Sequence, residues 1–389
     1  VGILTTIIIT RFLGPKDFGN FEFINSFFRE LIPFFTFTAS IGFFTKLSQR
    51  KRDHKLVIYF RYLLIVGMSL LFIFVASSFL LNLNDMIWHS QEKTTVYLGM
   101  TLCILTVFTS FLGQVADASG ITISLEIVRV IQKLMGILFL SLLAGLSLLN
   151  LENYFLFSIF MQILLFALLL YVLRRVGIYV FDEWYLSKKE IKRYGFDLYE
   201  YSKPLFVYAV LGVVVGIFDR WILQAYAGSE HQAYFGLGQK IGSICFLFTS
   251  SMTILITREF SIAHFKNDLK KIRTLFRRYV PMLYSIASFF SCFVFVNAEN
   301  IIKIFSGDAY QDALLPLILL SLFPIHQTYG QLNSSVFFAM NKTKIYRNIG
   351  ITFMIVGTFL SFFLIAPESR MGLDYGSTGL AFKVLFMQF

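Results

Sequence analysis

The chain has 389 residues, 57% of them hydrophobic and only 15% charged, with a formal net charge of +11 and a mean hydropathy of +0.70. Soluble domains carry about 25% charged residues, so this balance excludes an ordinary soluble domain and points to an all-α membrane protein. Cys103, Cys245 and Cys292 lie singly in apolar runs and the five histidines are scattered, so no disulfide framework, no metal site and no cofactor are expected.

A membrane-spanning helix needs about 20 residues. The first apolar run ends at Thr10, before Arg11, and the last runs into Phe389. Both read as spans cut short, the first and the twelfth. Between them, charge-free runs cover 62–84, 94–116, 134–151 and 153–173 (spans 3 to 6), then 279–298, 313–341 and 348–367 (spans 9 to 11). Spans 2, 7 and 8 have shorter clean runs, at 31–45, 204–218 and 241–257. They reach spanning length only by taking in Arg29 and Glu30, Asp219 and Arg220, and Lys240.

Those charges are the informative feature. A cation at the middle of a span costs roughly 2.5–3.5 kcal/mol even on the lenient insertion scale. Arg29, Arg220 and Lys240 together ask for on the order of 8–10 kcal/mol. A watery cavity, a counter-ion or an anionic cargo must offset that, which predicts a transporter with a cationic central cavity. Measured from the turns at 1.5 Å per residue, all three sit roughly 10–15 Å deep. Neighbours in sequence do not face each other on a helix, so Asp219 should pair with Lys240 or with a residue of another helix. Two readings stay open: ion pairs holding helices together, or contact with cargo.

The remaining basic residues set the orientation. Loops on one side hold 25 of the 34 Lys and Arg, including Arg50, Lys51 and Arg52, Arg129 and Lys133, and the runs at 174–203 and 258–278. The opposite loops hold Arg11, Lys16, Lys93, Lys303 and Arg370. By the positive-inside rule the rich side is cytoplasmic. The net charge is then a topology signal, and no nucleic-acid partner is expected. Glu126, Arg129 and Lys133 share one helix face near that side. They either snorkel to the interface among membrane lipids or receive an anionic head group from the cytoplasmic leaflet.

The turn Gly14-Pro15-Lys16-Asp17-Phe18-Gly19-Asn20-Phe21 has a counterpart in Gly228-Ser229-Glu230-His231-Gln232-Ala233-Tyr234-Phe235, 214 residues on. Thr45-Lys46 and Thr257-Arg258 close apolar runs at nearly the same offset. Two six-helix halves are therefore expected: a lobe over 1–173, a cytoplasmic connector over 174–203 and a lobe over 204–389. With an even number of helices each, the halves are parallel repeats about an axis along the membrane normal, a layout suited to alternating access.

Arg11-Phe12-Leu13-Gly14-Pro15-Lys16-Asp17-Phe18-Gly19 resembles the R-x-L-G-P-x-x-F-G signature of bacterial polysaccharide-export flippases of the Wzx type. These belong to the multidrug/oligosaccharidyl-lipid/polysaccharide exporter superfamily. Asp219-Arg220 before Gly228, with Tyr234 and Lys240 after it, is similar to the family's second-half pattern, although Ala233 stands where glycine is common. The resemblance implies a V-shaped central cavity lined by Arg29, Asp219, Arg220 and Lys240. It also implies translocation of an undecaprenyl-pyrophosphate-linked oligosaccharide across the bacterial plasma (inner) membrane for O-antigen or capsule synthesis. A polysaccharide polymerase and a chain-length regulator are the protein partners it suggests. The alternative within the superfamily is a drug exporter coupled to H+ or Na+, which would favour acids in the cavity. A membrane oligosaccharide polymerase or ligase is a third reading, but it needs a long external loop, and the segments at 82–93 and 297–312 are short.

Overall fold

The computed structural model describes residues 2–36, 39–49, 53–89, 91–182, 185–340 and 342–388. Arg50, Lys51 and Arg52 of the first basic loop lie outside the described residues. The fold is all-helical, with no strand among the described residues. In chain order the helices are α1 (Gly2–Phe35), α2 (Ala39–Gln49), α3 (His54–Leu80), α4 (Asn84–Trp88), α5 (Lys93–Ala118), α6 (Thr122–Gly145) and α7 (Leu151–Arg175). They continue as α8 (Lys188–Cys245), α9 (Leu247–Phe265), α10 (Leu269–Val296), α11 (Ala298–Phe305), α12 (Leu314–Ala339), α13 (Thr343–Ile365) and α14 (Gly376–Phe386).

Eight helical stretches among the described residues are long and apolar enough to cross a membrane, making this a multi-pass membrane protein. Predicted spans 3 to 6 are α3, α5, α6 and α7, and spans 9 to 11 are α10, α12 and α13. Spans 7 and 8 run together in 206–245, broken at Gly228, and continue into α9. Outward faces carry large apolar side chains such as Leu138, Phe289 and Phe359, which suits contact with hydrocarbon.

The two halves follow one plan. A helix broken at a glycine, a second segment, a long helix and a short helix are followed by three more helices, first as α1–α7 and then as α8–α14. The breaks match closely: Gly14 has φ 72° and ψ 173°, and Gly228 has φ 84° and ψ −174°. Only glycine takes that φ without steric cost, so the shared turn motif is a backbone requirement.

Two compact units result. Unit 1 contains residues 1–13 and 23–217, and unit 2 contains 14–22 and 218–389. Unit 1 has an aromatic core in which Phe43 stacks on Phe60 at 4.1 Å beside Phe111. Trp88 of α4 is fully buried against Phe27 and Phe28, and its ring N–H donates to Ser78 at 2.9 Å. In unit 2, Thr249 and Thr328 share a buried hydrogen bond of 3.0 Å, and Thr257 donates to Ser335 at 2.8 Å. Such small polar pairs join helices where burial alone gives little driving force. The turn segment 14–22 is fixed within unit 2 by close approach, because a Cβ on Gly19 would run into the Ser229 carbonyl.

The basic connector is largely structured. Its second half is the start of α8, continuous with a spanning stretch. Ser187 and Glu190 form a capping box there: the Glu190 side chain accepts from the Ser187 N–H at 2.9 Å, and the Ser187 hydroxyl accepts from the Glu190 N–H at 3.3 Å. Glu190 also pairs with Lys55 of α3. These bonds lower its carboxyl to about 2, with the Lys55 hydrogen bond the largest cause and Ser187 next. The earlier half is held by Arg61, fully buried, which donates to the Val180 carbonyl at 2.6 Å.

Candidate functional site

Unit 1 contains a cavity of about 450 Å³ walled by α1, α5, α6 and α7. Arg29 of α1 and Lys133 of α6 both line it, with Asn25, Thr106, Gln132 and Gln162 as further polar groups. The rest of the lining is mainly apolar, including Ile32, Leu102, Phe157 and Met161. A few polar groups in an apolar wall is the usual make-up of a binding cavity.

Arg29 is held only loosely by its partners among the described residues. Its side chain is 56% exposed, its nearest acid is Glu30 at 3.9 Å, and it reaches Ser26 only at 3.4 Å. An exposed pair at that distance contributes little. Glu30 is accommodated by Gly216 of α8, where a Cβ would lie 2.8 Å from its Oε2. Lys133 is exposed and makes no ion pair or hydrogen bond among the described residues. Gln162 donates to Thr106 at 3.1 Å, while its Oε1 is buried without a partner among the described residues. Gln132 donates to the Met161 carbonyl at 3.3 Å. The cavity thus offers two cations and several amides to a ligand, and an anion is the charge it suits.

Unit 2 handles its charges differently. Lys383 of α14 donates to Asp219 Oδ2 at 2.5 Å, and Ser361 of α13 donates to Oδ1 at 2.6 Å. Asp219 therefore pairs with another helix, the last one, rather than with Lys240. Arg220 is 5% exposed. It donates to Gln232 Oε1 at 3.2 Å and to Gln239 Oε1 at 2.6 Å, and its guanidinium lies 4.5 Å from the Phe235 ring centre. Lys240 meets Glu22 at 2.6 Å and lies 4.6 Å from the Phe18 ring centre. Glu22 is itself buried. Each of these groups is satisfied by protein partners in its own unit.

Of the three residues near the basic loops, Glu126 and Arg129 pair at 2.5 Å across one helical turn. Lys133, a turn further on, joins Arg29 at the cavity instead. Sequence reasoning missed Glu22, Gln232, Gln239 and Lys383 as partners, and Gln132 and Gln162 as lining. The signal for the glutamines was there, since polar amides inside apolar spans need partners. For Glu22 it was an acid seven residues ahead of Arg29, on a segment read as a turn and its continuation.

Neither a scan against protein-family models nor a search of curated proteins finds a match. Solved structures do share the fold. A multidrug resistance MATE family transporter of the MOP superfamily, in its inward-facing conformation, is similar with a TM-score of 0.79 and 13% identity, over 99% of this chain and 91% of that one. An outward-facing conformation of such a transporter gives 0.61 at 12% identity, over 100% and 90%. A MOP superfamily transporter from Pyrococcus furiosus, whose reverse polarity of binding pocket suggests a different function, gives 0.58 at 12% identity, over 95% and 83%. The chain has the MATE-like fold of two repeated halves.

Proposed function

We propose that this protein moves an anionic solute across the membrane by alternating access, with the cavity of unit 1 holding the anionic group. The observation that carries the reading is the joint presence of Arg29 and Lys133 in that cavity, where, among the described residues, Glu30 at 3.9 Å from Arg29 is the one acid within 4 Å of either. Cations held so loosely inside apolar helices need an anion or water to offset their cost. The form of cargo that the sequence resemblance supports is an undecaprenyl-pyrophosphate-linked oligosaccharide. Its head group is charged and bulky, and its lipid tail can stay in the bilayer. The connector then faces the cytoplasm of a bacterial cell, and the chain resides in the plasma membrane.

A second reading, a cation-coupled exporter, draws at least as much support from the likeness to multidrug resistance MATE transporters. In that reading Glu30 is the acid beside the cavity that would take H+ or Na+, because both oxygens of Asp219 are already occupied by Lys383 and Ser361. Replacing Arg29 and Lys133 by alanine separates the two. Loss of surface polysaccharide, with lipid-linked units accumulating on the cytoplasmic leaflet, supports the flippase. Changed drug tolerance with normal polysaccharide supports the exporter and refutes the anionic cargo.

A further inference from the structure

A second cavity of unit 1, about 540 Å³, lies between α3 and the early part of α8. Tyr59 and Leu63 form one wall and Leu198, Phe206 and Val207 the other. Among the described residues lining it, Lys203 is the one charged group. We propose that this groove binds the acyl chain of an anionic phospholipid, with the lipid phosphate on Lys203. The site is separate from the first cavity, and it does not depend on which cargo is carried.

The groove is built rather than incidental. Below it, α8 is pinned to α3 by the Lys55–Glu190 pair and by Tyr194, whose hydroxyl donates to Asp53 at 2.9 Å. Gly195 then lets the helices approach, since a Cβ there would lie 2.9 Å from the Tyr59 hydroxyl. Beyond that contact Leu63, Leu198, Phe206 and Val207 give the groove its apolar lining.

Charge and surface chemistry select the occupant. Lys192, Phe196, Tyr199 and Lys203 are spaced four, three and four apart, so they share one helical face. Phe196 and Tyr199 are 62% and 61% exposed, with a cation at each end of the pair. Exposed aromatics flanked by lysines fit the headgroup layer of a membrane, where rings sit at the interface and lysine stems reach out to phosphate. Lys192 and Lys203 thus lie just ahead of the spanning stretch that begins at Phe206. Basic clusters at the end of a span attract anionic lipid headgroups. A neutral lipid would leave Lys203, whose Nζ lies 6.0 Å from the Tyr199 ring centre, without an anion.

The test uses the full purified chain and native mass spectrometry, with dioleoyl phosphatidylglycerol compared with dioleoyl phosphatidylcholine. The anionic lipid should be retained at least about fivefold more tightly, the effect of one favourable lysine. Lys203→Glu should weaken its retention on the order of tenfold. Val207→Trp, at an exposed position, should fill the groove and block both lipids while melting like the parent. Lys188→Ala with Lys189→Ala should leave retention within about twofold, because those residues lie outside the groove. Equal retention of the two lipids would overturn the proposal. So would a loss in the Lys188/Lys189 variant matching that of Lys203→Glu, which would mean only a diffuse basic belt. Displacement of the lipid by soluble glycerol phosphate would likewise refute it, since a headgroup alone would then suffice.

Discussion

Both units place charges inside apolar helices but treat them in opposite ways. In unit 2, Asp219 is held by Lys383 and Ser361, Arg220 by Gln232 and Gln239, and Lys240 by Glu22. In unit 1, Arg29 and Lys133 border a cavity, and among the described residues the one acid within 4 Å of either is Glu30, 3.9 Å from Arg29. An intramembrane charge is therefore not by itself a ligand site. Its partners decide. Where both partners come from the chain the charge fixes helices in place, and the cations with weaker partners among the described residues are those proposed to meet the cargo.

The largest stability effects belong to unit 2. Lys383→Met would leave the half-enclosed Asp219 carboxylate without its counter-ion, and removing one partner of a buried pair costs about 3–5 kcal/mol. The thermal midpoint of the detergent-purified protein should fall sharply, and adding Asp219→Asn should restore most of it. A single variant that melts like the parent would mean that the pair is not structural. Arg220→Ala comes next. It strips partners from two glutamine oxygens and should cost about 1–3 kcal/mol, read from the same melting curves. Loss of cargo binding at unchanged stability would move Arg220 to the other side of the comparison.

A local effect follows in the connector. Glu190 is held at about 2, below its ordinary value of 4.5. A depressed carboxyl contributes above its unfolded value and loses that contribution as pH falls through the folded one. The α8 start should therefore stay protected from hydrogen exchange at pH 5 and above and open progressively between about pH 4.5 and 2. Glu190→Gln should exchange faster at neutral pH and show little further change on acidification. Flat exchange in the parent down to pH 2 would contradict the Lys55 tie. The smallest stability effect belongs to unit 1, where Arg29→Ala and Lys133→Ala should each stay within about 0.5 kcal/mol of the parent. A large drop in midpoint would show these cations to be structural.

Much of the fold was legible. Apolar run lengths located α3, α5, α6, α7, α10, α12 and α13, and the Gly14 and Gly228 turns revealed the repeat before any backbone angle was known. The connector was less so, because Lys188–Lys203 reads as a charged loop. Ser187 and Glu190, three apart, carried the helix-start signal within it. The site was legible in kind but not in detail. Insertion cost marked Arg29, Arg220 and Lys240 alike, because it depends on residue type and depth. Which of them is neutralised depends on contacts between distant parts of the chain, such as Lys240 with Glu22, 218 residues apart. No local pattern encodes that distance. Lys133 likewise joins Arg29 only because α6 and α1 line the same cavity.

The central claim, that the cations of unit 1 hold the anionic group, is tested most directly by binding. Undecaprenyl pyrophosphate would be titrated into the purified parent, the Arg29→Ala/Lys133→Ala variant and a Lys240→Ala variant, with melting measured in parallel. Charge-assisted hydrogen bonds are worth about 1.5–3 kcal/mol each. The cavity variant should therefore raise Kd at least about tenfold with its midpoint unchanged, and Lys240→Ala should lower the midpoint with Kd nearly unchanged. Parent-like binding by the cavity variant, with the loss appearing in Lys240→Ala instead, would contradict the account.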